Sequence, residues 1–303
     1  MDDGIINLNK PRGPTSHDVV SRVRALTGMR QVGHAGTLDP LATGVLLVCV
    51  GRATRLAEYL VQGRKTYRAG VRLGVATDTY DADGQVVAEA PVQVERAEVE
   101  GALAGFRGQT VQMPPAYSAL KHAGTPLHKL ARRGIEVPRA TRQIEVFSLT
   151  LTSWEPPECV LEVTCSPGTY VRVLAHDLGQ LLGCGAHLSS LTRLASGGFR
   201  LEDAVGLEEL ERGAAEGCWR TWLQPMDAAL ARFPALHLDA AAAQRLCRGQ
   251  RVDVPDSPLA PVVDGQEVLA RAYGPTGVFL AVVTYEPQSG MWRPRKVFCS
   301  EDS

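Results

Sequence analysis

Residues 33–44 are the feature of this chain that most restricts its fold. They form a glycine-rich polar loop with a single carboxylate, Asp39, and the six apolar residues 45–50 follow directly. A short apolar run of this kind is typical of a buried strand. A constrained polar loop beside a buried scaffold is where folds commonly carry chemistry. However, Asp and Gly form turns and Pro40 restricts Asp39 to an extended backbone, so the loop taken alone favours a plain turn.

Length and composition predict a folded protein of about two domains. The chain has 303 residues, of which 45% are hydrophobic and 21% charged, as in globular proteins. Its seven cysteines are scattered and form no C-x-x-C pair, which predicts reduced thiols in a cytoplasmic protein rather than a disulfide framework. The first residues lack the features of a signal peptide, and no apolar run approaches the roughly 18 residues of a membrane span. We therefore expect no membrane association.

Charge is distributed unevenly along the chain. The net charge of −1 does not by itself suggest nucleic acid. Between residues 120 and 143, however, one acid, Glu136, stands against six basic residues: Lys121, Lys129, Arg132, Arg133, Arg139 and Arg142. Acids collect instead at 202–216. A protein with separated basic and acidic zones can bind a polyanion through one face. The alternative is that the basic segment is an ordinary helix face exposed to solvent.

The order of predicted elements is mixed. Helical spacing is present at 16–27, 94–106, 170–182, 207–222 and 239–247, with Ser16 as candidate N-cap of the first helix. Strands are predicted from 44 until a helix begins near Ala53, at 65–73 with a returning strand at 85–88 after a turn at 79–84, at 146–153 paired with 159–165, and at 262–263, 268–272 and 278–283. This order predicts an α+β fold rather than strict alternation of strands and helices.

Several familiar motifs are absent or incomplete. The chain contains neither a phosphate-binding P-loop nor a dinucleotide fingerprint. The 81–84 run lacks the flanking acids of a calcium loop, so a hairpin turn is the better interpretation. Cys184 and His187 have a spacing typical of metal ligands but no second pair. We therefore expect no metal and no cofactor.

A series of motifs, in order over roughly the first 200 residues, resembles the TruB-type tRNA pseudouridine synthases. The loop at 33–44 is similar to the signature of that family. Further similar blocks lie at 7–16, 65–67, 77–84, 114–121, 166–172, 183–188 and 191–194. The resemblance implies a pseudouridine synthase domain with a mixed, largely antiparallel central sheet. It also implies isomerisation of uridine to pseudouridine at position 55 in the T loop of tRNA, by base flipping, without a cofactor or metal.

The resemblance also implies roles for individual residues. Asp39 is the expected catalytic carboxylate, although the sequence leaves open whether it attacks sugar or base or removes a ribose proton. Arg172 is the expected partner of Asp39 and lies on a segment that resembles a strand of the family. Tyr67 is the expected platform on which the flipped base stacks, with a further role in moving the C5 proton. The expected substrate-binding residues are His34, Lys65, Tyr170 and Leu191.

The basic segment resembles the RNA-clamping insertion of the family. We place this insertion at about 114–143, with Lys121, Lys129, Arg132 and Arg133 as RNA-binding residues. Residues 1–226 are the expected catalytic domain, and residues 227–303 are similar to a small β-rich PUA-like RNA-binding domain. An unrelated β module is the alternative for that region.

Three functions fit these features. The first is a monomeric enzyme whose partner is the T stem-loop of tRNA. The second is a non-catalytic tRNA-binding or folding module on the same scaffold, which the presence of Asp39, Tyr67, Tyr170 and Arg172 disfavours. The third is a synthase that works within a guide-RNA complex; such relatives carry lysine-rich tails, and residues 299–303 do not form one.

Overall fold

A computed structural model of the chain describes residues 2–118, 120–122, 124–131, 133–135, 137–254 and 268–299. Its strands are β1 (Gly4–Lys10), β2 (Val32–Ala35), β3 (Thr43–Val50), β4 (Lys65–Leu73), β5 (Val75–Thr77), β6 (Val86–Glu89), β7 (Gly108–Gln112), β8 (Lys121–His122), β9 (Thr125–Pro126), β10 (Arg142–Glu155), β11 (Glu158–Cys165), β12 (Ala186–Ser196), β13 (Phe199–Arg200), β14 (Val205–Gly206), β15 (Leu223–Gln224), β16 (Ala235–His237), β17 (Leu269–Tyr273), β18 (Phe279–Glu286) and β19 (Met291–Val297). Its α-helices are α1 (Ser16–Thr27), α2 (Ala57–Val61), α3 (Arg96–Ala104), α4 (Leu127–Ala131), α5 (Val171–Leu181), α6 (Leu207–Ala215) and α7 (Ala240–Cys247). Short 3₁₀ helices occur at Gly51–Leu56, Leu201–Asp203, Trp219–Trp222 and Met226–Leu230. None of the described helices has the length and apolar character needed to cross a membrane.

Eleven of the described strands form one mixed sheet. Their order is β14-β1-β3-β12-β4-β11-β10-β7, with β2 paired to β3, β13 to β12 and β15 to β1. Within this described sheet, the β1–β14 and β3–β12 pairs are parallel and all other pairs are antiparallel. The α+β prediction, with a largely antiparallel central sheet, is therefore confirmed.

The apolar run after the loop is β3, and both of its faces are covered. Every residue from Val45 to Val50 is 0% exposed. Leu46 and Val48 pack with α1 in one hydrophobic cluster, whereas Val45 and Leu47 pack with α2 in another. Successive side chains of a strand point to opposite faces, so a strand covered on both faces must be apolar at every position. This requirement explains why the run does not alternate.

Three neighbouring strands meet at Gly44, directly after the loop. Gly44 of β3 is aligned with Arg193 of β12, and Arg193 is aligned with Tyr67 of β4. A Cβ atom on Gly44 would lie 2.3 Å from the Arg193 carbonyl oxygen, and the φ angle of Gly44 is +96°. Only glycine fits both this contact and this backbone conformation. The register therefore places the loop beside Tyr67 and Arg193.

The described residues on either side of 255–267 include a second sheet of four strands, in the order β16-β17-β18-β19. Together with α7 they enclose a cluster that includes Leu246, Val283 and Trp292. Val282 and Phe298 pack instead with Val45 and Leu47 of β3. The small sheet thus lies against one face of the central sheet. The predicted domain boundary at 226/227 stays a prediction.

Cys247 and Cys299 form a disulfide, with their Cα atoms 5.7 Å apart. The prediction of reduced thiols was wrong for this pair, while the remaining five cysteines are free. The two residues are separated by 52 positions and meet because α7 packs on the four-stranded sheet. Spacing along a chain does not show such a meeting, since a disulfide depends on the distance between Cα atoms.

Most predicted elements lie where the pattern places them, including α1, α3, α5, α7, β4 and the β10–β11 hairpin. The returning strand at 85–88 is a difference, because β6 pairs with β5 and not with 65–73. The helix predicted at 207–222 ends at Ala215 and a 3₁₀ turn follows. The central-sheet strands β1, β2, β7 and β12 were missed, as were β16 and β19 of the small sheet and the short strands β5, β8, β9, β13, β14 and β15. The strand predicted at 262–263 lies outside the described residues.

Candidate active site

The loop that carries Asp39 is held on one side by Ser16. The Ser16 hydroxyl accepts a hydrogen bond from the Leu38 N–H at 2.8 Å and donates one to the Leu38 carbonyl at 2.9 Å. Ser16 is free for this contact because Thr15, and not Ser16 as predicted, is the N-cap of α1. The residue before Asp39 is therefore fixed through both of its backbone polar groups.

Two buried cations hold the same loop from other directions. The ammonium group of Lys10 donates to the carbonyls of Pro40 and Ala42, at 3.4 and 2.8 Å. The Nη2 atom of Arg193 donates to the Gly36 carbonyl at 2.9 Å. Backbone groups on both sides of Asp39 thus have buried partners, and the loop is a rigid mount for this carboxylate.

Asp39 lies at a cavity of about 490 Å³. The seven predicted catalytic and substrate-binding residues all line this cavity, although they come from five separate stretches of chain: His34, Asp39, Lys65, Tyr67, Tyr170, Arg172 and Leu191. Leu120, Arg142 and Arg193 also contribute. The cavity holds both charged and aromatic groups, which suits a flat polar ligand.

Arg172 binds two carboxylates at once. Its Nη2 atom lies 3.1 Å from Oδ2 of Asp39, and its Nη1 atom lies 3.1 Å from Oδ2 of Asp81. The Arg172 and Asp81 side chains are each 7% exposed, so theirs is a buried ion pair. Arg172 is in the first turn of α5, not on a strand as the resemblance implied, and Tyr170 is the N-cap of that helix. The predicted pairing of Asp39 with Arg172 is present in the geometry.

The pKa of Asp39 is raised above its ordinary value. The main cause is loss of water around the carboxylate inside the cavity, although 45% of the side-chain surface remains exposed. Arg172 opposes this rise, and the negative charge of Asp81 adds to it. Because one guanidinium serves two carboxylates, its attraction to Asp39 is not enough to offset the loss of water.

Two tyrosines form walls of the cavity. Tyr67 is 8% exposed, and burial raises the pKa of its phenol, while the positive charge of Arg193 lowers it. The guanidinium groups of Arg142 and Arg172 lie 5.7 and 5.8 Å from the centre of the Tyr170 ring. The two rings offer apolar surface to a planar base, and cations lie near the Tyr170 ring.

Lys65 and His34 complete the predicted set. The ammonium of Lys65 donates to the carbonyls of Val61 and Gly63, and burial lowers its pKa to about 8. Burial and the neighbouring Arg193 lower the pKa of His34, whose imidazole is therefore neutral at pH 7. At neutral pH the lining of the cavity thus carries positive charge from Arg193 and Lys65 and none from His34.

The predicted RNA-clamping insertion is described only in part. Arg133 is exposed, Arg132 lies outside the described residues, and so do the side chains of Lys121 and Lys129. The first part of the insertion touches the candidate site, because Nη2 of Arg172 also donates to the Tyr117 carbonyl at 2.7 Å. The basic segment is therefore anchored at the cavity by its backbone.

Three residues of the site were missed by sequence reasoning. Asp81 was taken as part of a turn and lies inside the quoted block at 77–84, but it was given no role. Arg193 lies inside a quoted block without a role. Gln112 donates to the Tyr170 carbonyl at 3.1 Å and accepts from the Tyr170 N–H at 2.8 Å. No local signal could have identified Gln112, since its partner is 58 residues away.

No group of three or more His, Cys, Asp or Glu side chains in the described part of the chain could hold a metal ion. Two family models match the chain in succession. Residues 24–171 match the N-terminal domain of TruB family pseudouridylate synthases, and residues 172–231 match the C-terminal domain of tRNA pseudouridylate synthase B. With the mixed sheet and the carboxylate-bearing cavity, these matches define the class of protein as a pseudouridylate synthase.

Individual relatives cover almost the whole chain. The tRNA pseudouridine synthase B of Thiobacillus denitrificans is 43% identical, over 98% of this chain and 96% of its own length. That of Pseudomonas aeruginosa is 47% identical, over 89% and 90%. A chain in the crystal structure of a Cbf5-Nop10-Gar1 complex is 27% identical with a TM-score of 0.77, covering 99% of this chain and 86% of that one. The chain therefore belongs to the TruB family.

We predict that Asp81→Asn destabilises the fold. The substitution keeps the shape of the side chain but removes one charge of a buried pair, which typically costs about 3–5 kcal/mol. Because Arg172 keeps Asp39 as a partner, we expect a loss of about 3 kcal/mol in the free energy of unfolding, measured in urea. Glu202→Gln, in the exposed Arg200–Glu202 pair, is the control and should cost less than about 1 kcal/mol. Equal losses in the two variants would contradict a structural role for the Arg172–Asp81 pair.

We predict that Asp39→Asn raises the melting temperature at pH 7. The raised pKa of Asp39 means that its ionised form disfavours the folded state at pH values above that pKa. The gain should shrink as the pH falls through the folded-state pKa and vanish below the unfolded-state value of about 3.9. Asp203→Asn, at an exposed carboxylate, is the control and should match the wild type at each pH. A lower melting temperature for Asp39→Asn at pH 7 would mean that attraction to Arg172 outweighs desolvation.

Proposed function

We propose that this enzyme isomerises uridine to pseudouridine at position 55 in the T loop of tRNA, with Asp39 as the catalytic carboxylate. The observation that carries the proposal is the rigidly mounted Asp39, paired with Arg172 in a cavity walled by Tyr67 and Tyr170. A tRNA substrate agrees with the names of the relatives in Thiobacillus denitrificans and Pseudomonas aeruginosa. Such an enzyme acts in the cytoplasm, where tRNA is modified.

The size of the cavity supports base flipping. A cavity of about 490 Å³ takes one nucleotide and not a stacked strand, so the uridine must leave its stack. Flipping costs a few kcal/mol, and stacking on an aromatic ring returns about 1–3 kcal/mol per base. Tyr67 supplies that ring, Tyr170 and Leu191 close the walls, and His34 fills the space that the base vacates.

The chemistry proposed for this cavity needs no co-reactant. The bond from N1 of the base to C1′ of the ribose breaks, the base turns, and C5 forms a new bond to C1′. The proton lost from C5 is balanced by the proton that N1 gains. Asp39 acts on the nucleotide as a carboxylate, and Arg172 orients it and favours its charged form.

RNA beyond the flipped base is held by charge and shape. The basic insertion at about 114–143 contacts phosphates, with Lys121, Lys129, Arg132 and Arg133 as its binding residues. Residues 227–303 form a PUA-like module that extends the RNA surface, and the enzyme works as a monomer on the T stem-loop. Folded RNA loops are recognised mainly by shape and stacking, which agrees with the nearly neutral whole chain.

We predict that an unmodified tRNA transcript gains pseudouridine at the T-loop uridine with wild-type protein and not with Asp39→Asn. The variant should still bind tRNA, because the amide keeps the shape of the loop. Chemical mapping of pseudouridine measures the product, and Asp203→Asn should be as active as the wild type. Modification by Asp39→Asn at the normal rate would remove Asp39 from the mechanism. Binding by wild type without any product would favour the non-catalytic module instead.

We predict that replacing Lys129, Arg132 and Arg133 with alanine weakens tRNA binding and flattens its salt dependence. Loss of three phosphate contacts should reduce the slope of log Kd against log salt by about 2. The matched control removes three exposed arginines outside the insertion, Arg22, Arg212 and Arg220. An unchanged slope in the insertion variant would refute the RNA clamp.

A further inference from the structure

Arg193 is a buried cation that the proposed chemistry does not yet use. Its side chain is 1% exposed, in the middle of β12. Its Nε atom donates to the Val45 carbonyl at 2.6 Å, and its Nη2 atom donates to the Gly36 carbonyl at 2.9 Å. No carboxylate in the described part of the chain lies within ion-pair distance of it. The Val45 and Gly36 carbonyls, which accept the hydrogen bonds of Arg193, are both neutral.

A neutral environment is unusual for a guanidinium. Withdrawal of the cation from water is strongly unfavourable, and two carbonyl dipoles offset it only in part. The charge of Arg172, in the same cavity, is compensated in the usual way, because Asp39 and Asp81 are its partners. The charge of Arg193 is thus left uncompensated at the wall of a cavity that admits a ligand.

Tyr67 is the neighbour of the Arg193 charge on the adjacent strand. The two residues stand directly opposite each other on neighbouring antiparallel strands, so their side chains lie on the same face of the sheet, and both line the cavity. The electrostatic influence of Arg193 also reaches Lys65 and His34, which line the same cavity. The part of the cavity near Tyr67 is therefore positive, whereas the carboxylates of Asp39 and Asp81 are paired with Arg172.

We propose that Arg193 is a positioning residue for the reaction: it orients the Tyr67 hydroxyl and stabilises negative charge on the detached uracil. This inference rests on the proposed function. When the bond from N1 to C1′ breaks, its electron pair leaves with the uracil, which becomes an anion. The anion lies against Tyr67 until C5 returns the electron pair to C1′. A fixed positive charge that is already in place favours this intermediate at no cost of reorganisation.

The first test compares Arg193→Lys and Arg193→Gln in single-turnover pseudouridine formation on a tRNA transcript. Arg193→Gln should slow the reaction about 10²-fold, as removal of one preorganised donor does, with tRNA affinity within about twofold. Arg193→Lys, which keeps the charge, should recover part of the rate. Arg107→Lys is the matched control, because the Arg107 guanidinium also donates to a backbone carbonyl, that of Leu149, away from the cavity. It should react like the wild type. Equal rates for Arg193→Lys and Arg193→Gln would overturn the role of the charge.

The second test is a double-mutant cycle with Tyr67→Phe. If Arg193 acts through the Tyr67 hydroxyl, Arg193→Lys should slow the Tyr67→Phe protein far less than it slows the wild type. A residue that only supports the loop would give additive effects, and additivity would overturn the proposal. Wild-type activity is measured alongside, so failure of the proposed function, with no product at all, is distinct from failure of this inference.

A third measurement needs no change at position 193. The ¹⁵N signals of the Arg193 guanidinium should shift when Tyr67→Phe removes the hydroxyl, while those of Arg107 should not. This comparison decides the matter if the Arg193 variants do not fold. An unchanged Arg193 signal would show that the guanidinium does not engage the Tyr67 hydroxyl and would overturn the proposal.

Discussion

The guanidinium of Arg172 joins the parts of the chain from which the active site is made. It binds Asp39 in the loop before β3, Asp81 in the turn between β5 and β6, and the Tyr117 carbonyl at the start of the insertion. A guanidinium can do this because its five donors are arranged in a fixed planar fork. The sheet, the turn and the insertion must therefore all be in place before Asp39 has its partner.

The same sharing sets the electrostatics of Asp39. Loss of water around the Asp39 carboxylate raises its pKa, and the attraction of Arg172, which also pairs with Asp81, offsets this rise only in part. A carboxylate that has lost part of its water and is only partly neutralised is more reactive than one that does not share its cation. The arrangement makes the fold less stable in return, as is common at active sites.

The other buried cations of the site follow a different rule. Lys10, Lys65 and Arg193 all donate to backbone carbonyls. The two that hold the Asp39 loop, Lys10 and Arg193, make it rigid, and Arg193 also stands opposite Tyr67 on the neighbouring strand. Positive charge therefore gathers around the tyrosine, and negative charge around Arg172. A reaction that separates a sugar from an anionic base is suited to a cavity with this polarity.

Local patterns were sufficient for much of the fold. Helical spacing located α1 and α5, alternation located β4, and the unbroken apolar run located β3, because each of these elements is defined by side chains close together in sequence. Seven residues lining the cavity came from the family resemblance, which works by ordered motifs and not by geometry. The same patterns gave no hint of β12, whose residues 186–196 mix small, polar and apolar side chains in the centre of the sheet.

Tertiary structure alone decided which distant residues contact each other. Asp81 and Arg172 are separated by 91 residues, and Gln112 and Tyr170 by 58. The alignment of Gly44, Arg193 and Tyr67 exists only once three strands have paired, and the Cys247–Cys299 disulfide only once α7 has packed on its sheet. Residue types and their order determined that the chain carries a mounted carboxylate ahead of a buried strand. The neighbours of that carboxylate, and hence its charge state, depend on distances that the folded chain creates.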